Sequence, residues 1–132
     1  MSSNVGNYFG NLLLKAMLNA TNLTAPTTIY LGLATGSGSI TELSGGSYSR
    51  QPITFTSVGT GYTASNSNVA TFVGLPTASV AYIQLWDATS SGHFLFAATI
   101  DVSGTPTPVS VTSGDSLMFA VGRFTINFTG LA

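Results

Sequence analysis

The sequence predicts an all-β domain, an antiparallel β-sandwich or jelly roll of about eight strands with one short N-terminal α-helix. Two observations support this prediction. From Thr27 onward, apolar and polar residues alternate with a period of two, in short runs bounded by Gly, Pro, Ser, Asn or Asp. No second helical pattern of useful length lies between these runs, which excludes a βαβ architecture.

The N-terminal segment has the three- and four-residue apolar spacing of an amphipathic helix. Asn4 or Asn7 is expected to cap its start, and Pro26 prevents its continuation. An isolated helix of this length is only marginally stable in water. Its apolar stripe must therefore pack on the domain's own sheet or on a neighbouring subunit. We favour the domain's own sheet. The stripe consists of Phe9, Leu12, Leu13, Ala16 and Met17.

The strands follow in short alternating segments. In the first, Ile29, Leu31 and Leu33 share one face. Because no repeat or linker appears in the 132 residues, we expect a single domain, with residues 1–26 as helix and connection and 27–132 as the sandwich. The predicted strand segments are TIYLGLA, QPITFTSV, NVATFVG, VAYIQLWDA, HFLFAATIDV, PVSV, DSLMFAV and RFTINF.

Two long glycine-rich loops interrupt the strands. The first, TGSGSITELSGGSYSR, carries Glu42 and Arg50, and the second, SVGTGYTASNSN, carries Tyr62. Arg50 is one of only three basic residues, so its presence beside a glycine loop requires an explanation. We predict that it pairs with Glu42, or caps backbone carbonyls of a neighbouring loop, and thereby positions the long loop.

Charge is scarce throughout the chain. Charged residues make up 5% of the sequence, against about 25% in typical domains, and the net charge is −1. Such a surface suits a protein largely covered by neighbouring protein; the alternative is a weakly charged β-domain kept in solution by Ser and Thr. The candidate assembly contacts are Phe9, Leu12, Leu13, Met17, Glu42, Arg50, Tyr62 and Trp86.

The composition also argues against several kinds of site. With no cysteine and one histidine, we expect no disulfide, no zinc site and no cofactor. Three cations are too few for direct nucleic-acid binding. No apolar run approaches the roughly 18 residues of a membrane span, and we expect neither a membrane association nor a signal peptide.

The residues offer little for catalysis. Asp87, Asp101 and Asp115 each lie beside a predicted turn, where an aspartate usually bonds backbone groups. A glycosidase would need two converging carboxylates, and nothing in the spacing of Asp87 and Asp115 requires that. His93 is placed where the chain leaves a hairpin, and no GxSxG motif accompanies it. We therefore expect that the protein is not an enzyme.

Several segments together resemble a known family. YLGL, ELSGGSYSRQ, LWDATSSGHFLF and SGDSLMFAVG occur in the order seen in short virion proteins of tailed bacteriophages. That family is described as tail-fibre-like or as capsid decoration (cement) proteins. The resemblance extends from Ile29 to Phe128, nearly the whole chain.

The resemblance implies a non-enzymatic β-sandwich, forming a homotrimer and repeated in the virion after assembly in the host cytoplasm. The leading hypothesis is a capsid decoration protein that binds the major capsid protein and copies of itself. The alternative is a tail-fibre or tail-tip component bound to other tail proteins, contacting a host glycan through Tyr48, Tyr62 or Trp86. A third hypothesis is that the protein is a free lectin-like module unrelated to virions.

Overall fold

The computed structural model describes residues 3–36, 39–58, 63–102 and 105–127. These residues form one helix, α1 (Asn7–Leu18), and fourteen short strands. The first seven strands are β1 (Ser3–Val5), β2 (Ile29–Thr35), β3 (Thr41–Glu42), β4 (Gln51–Ile53), β5 (Thr63–Ser65), β6 (Ala70–Leu75) and β7 (Ala78–Val80). The others are β8 (Tyr82–Trp86), β9 (Phe94–Thr99), β10 (Asp101–Val102), β11 (Thr105–Pro106), β12 (Val109–Val111), β13 (Asp115–Phe119) and β14 (Thr125–Asn127).

A six-stranded antiparallel sheet forms one layer. Its order is β1–β9–β8–β2, and the far edge of β2 pairs with both β3 and β4. Residues 29–31 of β2 lie opposite 51–53 of β4, and residues 34–35 lie opposite 41–42 of β3. The two partners therefore leave the middle of this edge of β2 without a neighbouring strand.

Two-stranded antiparallel ribbons lie against this sheet. They are β6–β13, β7–β12 and β5–β14, while β10 and β11 form a small separate hairpin. The core lies between the layers and draws on both. The predicted class, an antiparallel all-β sandwich with a short N-terminal helix, is confirmed. The core residues are Leu31, Leu33, Leu43, Ile53, Ala70, Phe72, Leu75, Val80, Ile83, Leu85, Leu95, Ala98, Val111 and Phe124.

A β-bulge changes the phase of the alternation in β6. Ala70 and Phe72 are buried at a spacing of two, but the next buried residue is Leu75. The pairing with β13 shifts at the same point, where Gly74 adopts a φ of 60° that other residues rarely adopt. The carbonyl of Gly74 accepts the backbone N–H of Ser47 at 2.7 Å, so the bulge supports the long loop before β4.

The described residues begin in the sheet, which the sequence pattern does not show. Strand β1 pairs with β9 before α1 starts. The predicted capping by Asn4 or Asn7 is wrong, because the N-cap is Gly6 and no side chain caps the helix. The Gly6 N–H instead donates to the Leu95 carbonyl at 2.8 Å, which fixes the helix start against β9.

One fully buried amide connects the ribbons. The Asn66 side chain donates to the carbonyls of Asn68 and Ala120, each at 2.9 Å, and accepts the Phe124 N–H at 2.8 Å. Because each of these groups is thereby satisfied, a polar residue is stable in this part of the core.

Replacement of Gly6 by alanine tests the attachment of the helix. A Cβ at Gly6 would overlap the Phe94 carbonyl, whereas one at Gly10 meets nothing closer than Val5 Cγ1 at 3.7 Å. We expect Gly6→Ala to lower the free energy of unfolding by about 2 kcal/mol, and Gly10→Ala to raise it by up to about 1 kcal/mol. Urea denaturation followed by circular dichroism measures both; equal effects of the two variants would contradict this geometry.

Candidate functional site: the Arg50 cluster and the N-terminal helix

Arg50 is buried and forms a bidentate ion pair. Its side chain is 6% exposed, and that of its partner Glu42 is 25% exposed. Arg50 Nε donates to Glu42 Oε1 at 2.7 Å, and a terminal nitrogen donates to Oε2 at 2.7 Å. This two-point geometry is the strongest form of arginine–carboxylate contact. The predicted pairing is confirmed.

The other terminal nitrogen of Arg50 binds a neighbouring loop. It donates to the carbonyl oxygens of Ala88 and Ser91, at 2.9 and 2.8 Å. The guanidinium also lies over the Trp86 ring, 3.7 Å from its centroid, in cation–π geometry. Both roles considered for Arg50 are therefore realised together. The residue fastens the long glycine loop to the hairpin loop between β8 and β9.

Tyr48 completes this cluster and fills the gap beside β2. Its hydroxyl accepts the Leu33 N–H at 3.0 Å and donates to Glu42 Oε1 at 2.9 Å. The Leu33 N–H lies between the stretches that pair with β3 and β4, so the phenol takes the place of a missing strand. Burial raises the pKa of Tyr48 far above its usual range, which keeps the hydroxyl protonated as a donor.

Gly32 makes room for the cluster. A Cβ at this position would lie 3.0 Å from the Tyr48 hydroxyl and 3.3 Å from Trp86 Nε1. The same indole nitrogen donates to Oε1 of Gln84, which is buried, at 3.1 Å. A larger residue than glycine in the middle of β2 would therefore displace the two aromatic side chains.

These contacts argue against the predicted sugar-stacking role of Tyr48 and Trp86. Arg50 covers one face of the Trp86 ring, and Phe94 meets that ring edge-on at 5.6 Å. The ring of Tyr48 packs against the core, with its centroid 6.0 Å from that of Phe72. Tyr62 and Phe128, and the side chain of Asp101, lie outside the described residues.

Asp87 closes the hairpin between β8 and β9. Its Oδ1 accepts the backbone N–H of His93 at 2.6 Å, and its Oδ2 lies 2.8 Å from Nδ1 of the same residue. The His93 N–H bond is the main cause that lowers the pKa of Asp87. Asp115 similarly accepts the Thr112 N–H at 2.8 Å. The predicted turn role is confirmed for both aspartates.

The described side chains form no group of three or more potential metal ligands. The described part of the chain also contains no helix of the length and apolarity needed to cross a bilayer.

The helix is attached to the sandwich by few contacts. Tyr8 stacks on the exposed His93 ring, with centroids 3.7 Å apart, and Phe9 packs against the core. Leu12 and Leu13 are half-buried, and Met17 is 76% exposed. The expected packing of the stripe on the domain's own sheet is thus realised for Phe9, only in part for the two leucines, and not for Met17.

Of the candidate contacts, the structure brings Glu42, Arg50 and Trp86 together as an internal cluster and leaves the helix residues apart from it. Sequence reasoning gave Tyr48 no part in this cluster, although its place between Glu42 and Arg50 in SGGSYSR was a signal. The carbonyls of Ala88 and Ser91 gave no signal at all, because any residue supplies a carbonyl.

These features define the class of protein, a small antiparallel β-sandwich in which most of the described charged side chains hold loops and turns in place. The chain belongs to the family of the podophage GP4 fiber I protein gp80, whose model matches residues 4–127. The resemblance to tailed-phage virion proteins is confirmed, and membership of a phage fibre family makes the protein a structural virion component. Comparison with individual curated proteins gives no match.

Replacement of Arg50 by lysine tests the cluster. A lysine keeps the charge but loses the bidentate pair and cannot reach both loop carbonyls, so we expect a loss of about 3 kcal/mol of stability. The matched control is Arg123→Lys, since Arg123 is exposed, and its effect should stay within about 0.5 kcal/mol. Chemical denaturation gives both values, and equal stability of the two variants would refute the positioning role.

The lowered pKa of Asp87 predicts a pH-dependent stability. A carboxylate with a lowered pKa stabilises the fold fully above its ordinary pKa of about 4, and this contribution disappears as the pH falls through the lowered value. We expect Asp87→Asn to cost about 1 kcal/mol at pH 7. Denaturation at pH 7, 4 and 2 should show the gap closing in acid, and a constant gap would contradict the assignment.

Proposed function

We propose that the protein is a subunit of a fibre on a short-tailed phage particle, where it holds proteins together and catalyses no reaction. The observation that carries this proposal is the family match, which spans nearly the whole chain and describes a fibre protein. Because the match extends from residue 4 to 127, it includes the helix as well as the sandwich.

The family match favours the tail-fibre alternative over capsid decoration, the leading hypothesis from the sequence. The two differ in copy number and in partner. A decoration protein covers the shell and binds the major capsid protein, whereas a fibre subunit occurs in few copies and binds tail proteins. We therefore propose that the protein belongs to the tail and not to the capsid shell.

The state of the carboxylates supports a structural role. Glu42 is engaged by Arg50 and Tyr48, and Asp87 is engaged by His93. A general acid or base needs a carboxyl group that can exchange a proton with a substrate. Both of these groups are instead committed to the loops that they hold in place.

Hydroxyl-rich loops lie over the cluster. An open depression of about 290 Å³ there is lined by Ser44, Thr89, Ser90 and Ser91, with Glu42 and Arg50 among its other lining residues. Both charged groups are bound to each other, so this surface presents mainly hydroxyl and backbone groups. That composition suits close packing against another protein without the cost of stripping water from free charges.

Localisation on purified particles tests this function. Particles would carry an epitope tag on the protein, be labelled with gold-conjugated antibody and be imaged by electron microscopy. We expect label at the tail, with a copy number far below that of the major capsid protein in quantitative gels. Label spread evenly over the shell, with hundreds of copies, would overturn the proposal in favour of capsid decoration.

A further inference from the structure

The outer face of α1, formed by Leu14, Met17 and Leu18, is apolar and exposed. These side chains are 54%, 76% and 72% exposed. They lie at positions i, i+3 and i+4, so they form one continuous patch on the helix surface. The half-buried Leu12 and Leu13 lie elsewhere on the same helix. Apolar side chains therefore occupy most of its circumference.

A helix with so much apolar surface normally has buried residues, but no residue of α1 is buried in the single chain. Twelve residues are also too few for a stable isolated helix. Its known attachments are the Gly6–Leu95 hydrogen bond, the Tyr8 stack and the packing of Phe9. The single chain thus leaves the outer face of α1, formed by Leu14, Met17 and Leu18, in water.

The exposed apolar surface is concentrated at this end of the chain. Of the eleven large hydrophobic side chains exposed among the described residues, six lie between Val5 and Leu23. The segment that follows the helix contributes only Leu23 to these six, because its other exposed residues are mainly Asn and Thr. Three of these six, Leu14, Met17 and Leu18, share one face of α1, and exposed apolar side chains grouped in this way mark a site of protein contact.

The surface area of the chain agrees with a missing neighbour. Its accessible area is 7842 Å². A compact monomer of 13.5 kDa has about 6,500 Å², so the excess is about 1,300 Å². A specific protein interface buries about 800 Å² on each partner. The excess, which is summed over the whole chain, therefore exceeds the area that one subunit loses in a specific interface.

We propose that the outer face of α1 is the surface through which identical copies of this chain associate. Lys15 is the only charged residue between positions 1 and 41, and the net charge of the chain is −1. Identical copies consequently have little electrostatic repulsion to overcome. An uncharged apolar stripe is also complementary to itself, and self-association around a symmetry axis brings the same stripe from every copy together.

Lys15 does not oppose this packing. It lies about 100° around the helix from Leu14, so it borders the outer face and keeps its ammonium group in water while its stem covers apolar surface. This inference rests on the proposed structural function. It adds the partner of this surface, which is a second copy of the chain.

A pair of methionine variants tests the proposal in solution. Met118 on β13 is 61% exposed and is a matched control for Met17. We expect the wild-type protein and Met118→Lys to sediment as a multimer, while Met17→Lys associates at least tenfold more weakly. A wild-type monomer at every concentration would overturn the proposal, as would dissociation by Met118→Lys alone.

Cysteine crosslinking keeps the test informative if a lysine variant fails to fold. The chain has no cysteine, so Met17→Cys or Met118→Cys introduces a single thiol. We expect oxidation to crosslink copies of Met17→Cys and not of Met118→Cys on a non-reducing gel; the reverse result would overturn the proposal. Both measurements use purified protein, so self-association can be refuted while gold labelling still places the protein at the tail. Equally, the protein can self-associate while the gold label lies on the shell.

Discussion

A guanidinium inside a protein is unfavourable unless its donors find acceptors, and the loops around Arg50 are arranged to meet that requirement. Glu42 supplies two oxygens, the turn after β8 supplies two carbonyls, and Trp86 supplies an aromatic face. These groups come from two separate parts of the chain, residue 42 and residues 86–91. The ion pair therefore determines how both loops lie over the large sheet, and Gly32 provides the space that it needs.

The molecule consists of two parts, the sandwich and helix α1, which differ in the contacts that stabilise them. The sandwich has a continuous core, and the buried Asn66 and Arg50 fix its irregular segments. Helix α1 has no buried residue and is tied to the sandwich mainly through Gly6, Tyr8 and Phe9. The proposed self-association fits this division, because a rigid domain then presents an apolar helix that a second copy covers.

Alternation predicted the longer strands well because one face of each lies against the core, and helical spacing predicted α1 for a similar reason. The two segments predicted as loops contain the short strands β3 and β5, which are too short to show a period. Strand β1 escaped prediction because three residues show no period and its partner β9 is about ninety positions away. The Arg50–Glu42 pair was predictable because both residues border one loop. Its remaining partners lie about forty positions further on. Helical spacing also places Met17 and Phe9 in one apolar stripe. It does not determine which residues of that stripe contact the sheet, and only Phe9 packs against the core.

The central claim is that α1 depends for its stability on neighbouring molecules, whereas the sandwich does not. Hydrogen exchange measured by mass spectrometry over a range of protein concentrations tests this most directly. The account predicts that amides of residues 7–18 are protected at high concentration and lose that protection on dilution, while those of β2 and β8 stay protected throughout. Protection of the helix that is independent of concentration would contradict it.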